Sequence, residues 1–281
     1  MKIGKYTLHN VNCGFFALDG GAMFGIIPKP LWVRTNPADE KNRIKMAARS
    51  LLLISDTKKI LIDTGMGNDW NEKLREIYEI DFSENSVDKS LNKLNLKTSD
   101  ITDVILTHLH FDHTGGSLFR IGNKYVPRFP NAKYYVRKRN FDWACNPSPK
   151  DIGSYIKEKF YPLFEQGMIN FLENEDHFDD EIEFIIVNGH TYGQQLVKIS
   201  DSSNTVLFSG DLFPTSSHVR LPYIMGYDIE PLETVKEKKQ VLEKAVEENW
   251  KLFFEHDPFY ALGTAKRTEK DFVIDEKFES L

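Results

Sequence analysis

The segment Thr107-His-Leu-His-Phe-Asp-His-Thr-Gly-Gly116 constrains this chain more than any other part of it. Three of the chain's eight histidines, and one aspartate, fall within six consecutive positions. Imidazole and carboxylate donors at this density suit zinc, and also iron or manganese. The run follows an apolar stretch at 104–106 that reads as a short buried strand ending at Thr107. A loop at a strand end can aim several side chains at one point. His108 and His110 lie two apart, so in extended chain they project the same way. Asp112 and His113 follow where the chain turns, and Gly115 and Gly116 permit a tight turn or a close backbone approach.

A centre of this kind needs further ligands. Three later residues offer them, each directly after an apolar, strand-like run: His190 after 182–189, Asp211 after 206–210 and His256 after 252–255. The spacing elsewhere predicts strands at 5–11, 133–136, 182–187, 196–199, 205–208 and 252–254. A hairpin is expected from 51–54 and 59–63. Helices are expected at 69–80 and 86–94, and at 155–165 with Ile156, Phe160, Leu163 and Phe164 on one face. The clearest helix is 231–248, with Pro231 in its first turn and Val235, Leu242, Ala245 and Val246 as its apolar stripe. No linker or internal repeat divides the chain. Residues 1–281 therefore read as one α/β domain, with sheet inside and helices outside.

Composition narrows the partners. The 36 basic and 42 acidic residues give a net charge of −6, which disfavours nucleic acid, whose phosphates need a cationic surface. The one dense basic run, Arg137-Lys138-Arg139, reads as a solvated helix start. Cys13 and Cys145 are too few for a disulfide framework and have no ligand-spaced neighbours, so a reducing compartment is expected. The opening Met-Lys-Ile-Gly-Lys lacks the apolar block of a signal peptide, and no run approaches the ~20 apolar residues of a membrane span. The expected location is cytoplasmic, with no membrane partner.

The order His-x-His-x-Asp-His, then Gly-His-Thr, then Gly-Asp, then a late histidine resembles the metallo-β-lactamase superfamily, over residues 61–259. Ile62-Asp63-Thr64-Gly65 looks like that superfamily's early aspartate turn. The resemblance implies a four-layer αβ/βα sandwich with two divalent metal ions at one edge, between two sheets. It implies His108, His110 and His190 on one ion, Asp112, His113 and His256 on the other, and Asp211 bridging both. Asp63 is implied to order the histidine loop. Zinc is the first expectation, with iron or manganese compatible.

Asp19-Gly-Gly-Ala-Met-Phe-Gly-Ile-Ile-Pro-Lys-Pro-Leu-Trp32 and Phe254-Glu-His-Asp-Pro-Phe-Tyr260 resemble the quorum-quenching N-acyl-homoserine lactonases and their close hydrolase relatives. Those relatives include organophosphate-degrading enzymes. Met23, Phe24 and Trp32 supply apolar surface that would wall an acyl-chain pocket; the alternative is that they only cover a sheet edge. Two positions depart from the pattern. Some lactonases place a substrate-contacting tyrosine three residues after the bridging aspartate, where this chain has Pro214. Gln194 stands where the superfamily turn often carries a histidine. His218 and Tyr223 are further candidates to reach a substrate.

The implied activity is hydrolysis of a lactone or similar ester by a metal-activated hydroxide. Asp112 would be a ligand able to pass a proton to the leaving oxygen, and no serine or cysteine nucleophile is required. Arylester, phosphotriester or thioester hydrolysis on the same site are the alternatives. A di-iron oxidoreductase usually carries a flavin domain, for which the chain has no room. A non-catalytic binding protein would be marked by lost ligands, and none is lost. The expected partner is a small ester or lactone, and a monomer or a homodimer are equally open.

Overall fold

Period-two alternation on the strands decides the architecture. In the computed structural model, which describes residues 1–281, a seven-stranded and a six-stranded sheet lie face to face. On the first sheet Leu51, Leu53, Ile60, Ile62 and Ile105 point one way, and on the second sheet Val197, Ile199, Val206, Phe208 and Phe253 point back at them. Their neighbours in sequence face outward. Leu52, Leu61 and Val104 pack under the helices of the first half, while Leu196, Leu207 and Leu252 pack under the helix Pro231–Glu247 with Val241, Leu242 and Ala245. Helix, sheet, sheet and helix make the four expected layers. Strands buried on both faces are apolar at every position, which is why 51–54 and 205–208 stand out in the sequence.

The central pairs are parallel. Lys59–Ile62 runs beside Asp103–Ile105, and Thr205–Phe208 beside Lys251–Phe253. Parallel neighbours end at the same edge. The segments after these four strands carry Asp63, the histidine loop, Asp211 and His256, so all four arrive at one rim. The Gln195 amide donates to the Thr107 carbonyl at 3.0 Å, and the Ala47 amide donates to the His256 carbonyl at 3.0 Å, tying the two sheets together there.

Several elements differ from expectation. The first long strand is Tyr6–Asp19, and its partner Arg43–Ile54 extends well before residue 51. Lys45 and other polar or small residues in 43–50 hide the periodicity of a strand whose outer end lies near solvent. The helices expected at 69–80 and 86–94 are shorter, Glu72–Ile77 and Val87–Lys93, with Asn71 and Ser86 capping them. The expected helix at 155–165 is a 3-10 turn, Lys157–Lys159, followed by the short helix Tyr161–Glu165. Pro162 has no amide proton to continue a helix from upstream. Phe164 is exposed and does not share the buried face of Phe160 and Leu163. Arg137 is not a solvated helix start: it is buried and donates to Gln195 Oε1 at 3.0 Å. The hairpin Leu118–Ile121/Lys124–Pro127 and the strands Ile169–Leu172, Leu262–Arg267 and Phe272–Phe278 were not expected. No helix is long and apolar enough to cross a membrane.

Candidate metal centre and active-site cavity

The histidine loop is locked against the segment that follows Lys59–Ile62. Asp63 sits at φ 55°, in the left-handed region that a side chain other than glycine seldom occupies. Its carboxylate accepts from the Thr107 amide at 2.7 Å and the Thr107 hydroxyl at 2.6 Å, and its Oδ2 lies 3.0 Å from His113 Nδ1. Backbone bonds run from Thr64 N to His113 O (2.7 Å) and from Gly116 N to Gly65 O (2.9 Å). A Cβ on Gly116 would stand 2.0 Å from the Thr64 carbonyl oxygen. Close backbone approach is therefore what this glycine provides. Local strain at Asp63 is held by three polar contacts, as expected where strain serves a site.

The seven donor residues come together in two adjoining groups. His108, His110, His190 and Asp211 form one, and Asp112, His113 and His256 the other, with the ligand atoms of each group within 4.8 Å of one another. Asp211 sits between them. Its Oδ2 lies 3.1 Å from His190 Nε2 and 3.9 Å from His108 Nε2, whereas its Oδ1 lies 3.2 Å from His256 Nε2 and 3.4 Å from His113 Nε2. Asp112 flanks the second group, 3.7 Å from His256 Nε2 and 3.9 Å from His113 Nε2.

These residues fit divalent ions by an independent criterion. His108 Nε2, His110 Nε2 and Asp211 Oδ1 are buried and have no hydrogen-bond partner within the protein. Buried polar atoms are mostly satisfied, and these three converge on one space. The donor set, imidazole nitrogens with carboxylate oxygens, is the set that zinc, iron and manganese share.

The electrostatics divide the histidines. Burial and the surrounding imidazoles hold His108 and His110 well below the usual histidine range, in the neutral form that binds metal. Burial disfavours the charge on Asp211, but His113, His190 and His256 outweigh it and hold the carboxyl well below its ordinary value. Burial likewise opposes a charge on His190 and His256, but neighbouring carboxylates, Asp211 first, push each up to about 9 in the metal-free site.

Outer partners lie against the rings of His190, His256 and His113. His190 Nδ1 lies 2.9 Å from Asp228 Oδ1, and His256 Nδ1 lies 2.9 Å from the Ala47 carbonyl oxygen. Glu255, fully buried, places Oε2 3.0 Å from His113 Nδ1. Neither Asp228 nor Glu255 stands out in the sequence. Asp228 reaches His190 only because the chain returns 38 residues later, and Glu255 is a lone acid in an apolar strand end.

A cavity of about 230 Å³ opens onto the donors and exposes His110, Asp112, His190, Asp211 and His256. Its apolar wall is Leu18, Met23, Met46, Phe111 and Met225, and Tyr78, Tyr227 and Lys150 complete the rim. Of the three residues expected to wall a substrate pocket, only Met23 lines this cavity. Phe24 and Trp32 stand behind it, fully buried and stacked with ring centroids 5.3 Å apart, because their neighbours close over both ring faces. His218 is also core. It stacks on Phe24 at 4.7 Å and bonds the Met23 carbonyl at 2.8 Å, and burial pushes it down to about 3. Tyr223 packs edge-on against Phe24. Pro214 is turned inward, its carbonyl accepting from the His256 amide at 3.0 Å. Gln194 is fully buried at the start of the strand Gln194–Ser200.

A family model described as the metallo-beta-lactamase superfamily matches residues 46–266. Among curated proteins, an N-acyl homoserine lactonase, AttM, of Agrobacterium fabrum is 24% identical over 263 residues, spanning 90% of this chain and 89% of that protein. An N-acyl homoserine lactonase of Bacillus cereus is 26% identical, over 77% of this chain and 83% of its own length. Among solved structures, a probable metal-dependent hydrolase from Staphylococcus aureus superposes with a TM-score of 0.88 at 28% identity, covering 99% of this chain and 98% of that one. A dizinc quorum-quenching lactonase, AidC, shares the fold with a TM-score of 0.78 at 23% identity, covering 98% and 95%. The chain belongs to the metallo-beta-lactamase superfamily, as one of its metal-dependent hydrolases, with lactonases among its relatives.

Proposed function

We propose that this protein hydrolyses a neutral lactone or similar ester, N-acyl-homoserine lactones being the first candidates, at a dinuclear metal centre. The observation that carries the reading is Asp211, whose two oxygens face two different sets of histidines. A carboxylate so placed would bridge two ions held by those sets. His108, His110 and His190 would hold one divalent ion, and Asp112, His113 and His256 the other, with zinc the first choice for these donors. Ions held there supply Lewis acidity toward a carbonyl and a water made acidic near neutral pH.

The chain's own residues do the rest. Asp63 and Asp228 orient His113 and His190 through their Nδ1 atoms, so that the opposite nitrogens face the cavity. Asp112 is the cavity-facing carboxylate nearest the second group and is placed to carry a proton toward a leaving oxygen. Met23, Met46 and Met225 offer flexible apolar surface to an acyl or alkyl portion. The only lysine or arginine on the wall is Lys150, whose ammonium is already committed to three backbone carbonyls. No free lysine or arginine is therefore left to pair with an anionic group of a substrate away from the metal centre, which favours an ester whose acyl portion is uncharged. Cys13 and Cys145 take no part, since neither lines the cavity.

The test is a parallel turnover panel on metal-replete protein: an N-acyl lactone, an arylester, a phosphotriester and a thioester. The expected result is the highest kcat/KM on the lactone. A higher value on the phosphotriester or thioester would reassign the substrate, and no turnover of any of them would remove the hydrolytic reading.

A further inference from the structure

The cavity is crossed at its rim by residues 224–228, and this segment is anchored from three sides. Lys150 Nζ donates to three consecutive carbonyls, those of Gly226 (2.9 Å), Tyr227 (3.0 Å) and Asp228 (2.7 Å). The Gly226 amide donates to the Ala22 carbonyl at 2.8 Å, joining the segment to the short helix that carries Met23. The Asp228 carboxylate accepts from the Met225 amide at 3.2 Å through Oδ2 and meets His190 Nδ1 at 2.9 Å through Oδ1. The segment is thus registered to a donor of the metal centre, to the apolar wall, and to the loop before Gly153 and Ser154, which also line the cavity.

Between the carbonyls that Lys150 holds sits Tyr227, a cavity-lining residue. Its phenol is bonded to no group in the protein, unlike that of Tyr155, which meets Thr191 Oγ1 at 2.5 Å. Burial and then the Asp112 charge raise the Tyr227 phenol well above its ordinary value, so it keeps its proton and can donate. Tyr78 also lines the cavity. Its ring, however, belongs to an aromatic cluster with Trp70 and Phe111, and no bond ties it to a donor residue.

We propose that Tyr227 is a substrate-contacting residue whose hydroxyl donates a hydrogen bond to an oxygen of the bound ester, and that Lys150 is the positioning residue that holds it there. This rests on the hydrolytic reading for its substrate, but the anchoring by Lys150 stands independently of it. A lysine normally spends its three donors on water or on a carboxylate. Three carbonyls in a row instead give one side chain control of the whole 226–228 backbone. Losing it frees the segment that bears both Tyr227 and the partner of His190.

The experiment has two arms on the metal-loaded protein. In the first, amide hydrogen exchange is followed at Gly226, Asp228 and Ile229 in the wild type, Lys150→Met and Lys150→Arg. Lys150→Met is expected to speed exchange there by about tenfold or more, with Lys150→Arg in between, because the segment loses its bonds to a charged donor. Unchanged exchange in a Lys150→Met protein that melts like the wild type overturns the positioning role, whatever the protein hydrolyses. In the second arm, Tyr227→Phe is expected to lower kcat/KM by about tenfold, the worth of one hydrogen bond, with metal content unchanged. Tyr161→Phe, which stacks on Phe141 away from the cavity, is expected to stay near wild type. Turnover of Tyr227→Phe within twofold of a wild type that is active overturns the contact. A wild type inactive on every ester overturns the substrate reading, and with it the contact, while the exchange arm still decides on Lys150.

Discussion

Replacing Asp211 by asparagine keeps the side chain's shape and removes the one charge that faces both histidine sets. Two dications held there would then repel with less compensation. Metal content is expected to fall toward one ion per chain and turnover by at least ~100-fold, on the order of 3 kcal/mol of transition-state stabilisation. Asp201, whose carboxylate only accepts from exposed backbone amides, is the control, and Asp201→Asn should change neither. Elemental analysis and steady-state rates read both; a folded Asp211→Asn with two ions and near-normal rates would refute the bridge. A second prediction concerns protons. In the metal-free site His190 and His256 are raised to about 9, so both are charged at neutral pH and must lose protons to bind metal. Apparent metal affinity should therefore climb as pH rises toward 9, with protons released on binding. The same shifts stabilise the metal-free fold fully below the ordinary histidine value of 6.5, and that contribution is lost as pH rises through about 9. Calorimetry in two buffers of different ionisation enthalpy measures the release, and affinity independent of pH would contradict the shifts. The seven candidate donors are nameable from sequence because the histidine loop, His190, Asp211 and His256 each follow an apolar run that ends at the same rim. Asp228 and Glu255 are not, because their contacts depend on how distant segments return.

The short helix Gly20–Phe24 shows how an element can be recognised while its inner and outer residues are confused. Its glycines and aromatic residues mark a folded loop beside the site, but sequence does not say which apolar side chain reaches the cavity. Met23 does, and Phe24 lies between Trp32 and His218. Phe24→Ala should consequently cost stability, about 3–5 kcal/mol, read as a lower unfolding midpoint. Met23→Ala should instead weaken long-chain esters more than short ones, by up to ~0.8 kcal/mol for each lost methylene contact. Equal losses across chain lengths for Met23→Ala would move the acyl portion elsewhere. The helix Pro231–Glu247 teaches the same lesson. Its inward face includes Thr234, Glu237 and Lys238 as well as Val241, Leu242 and Ala245, while Val235 and Val246 are only half-buried. The apolar stripe is rotated because two charged residues are needed inside. Glu237 accepts from the amides of Asn188 (2.6 Å) and Gly189 (3.0 Å), just before His190, and Lys238 Nζ donates to the carbonyls of Arg220 (2.6 Å) and Tyr223 (2.7 Å). Polar residues that brace loops from a helix's buried face break the pattern that finds helices.

On the scale of the molecule, the two parallel strand pairs bring the ends of both sheets to one rim, and the donors lie between them. The layered α/β class is legible from the doubly buried strands. The long antiparallel partner Arg43–Ile54 and the C-terminal hairpin Leu262–Arg267/Phe272–Phe278 are not, because their exposed ends carry lysines and acids where alternation would show. On the proposed reading, catalysis needs both halves of the centre at once. Metal-free protein can be titrated with zinc while lactone turnover and bound metal are followed together. Turnover is expected to reach its plateau at two ions per chain and to lag at one, since the two Asp211 oxygens face two different histidine sets and would join two sites rather than serve one. Full turnover at a single equivalent, with no second ion retained at saturation, would contradict it.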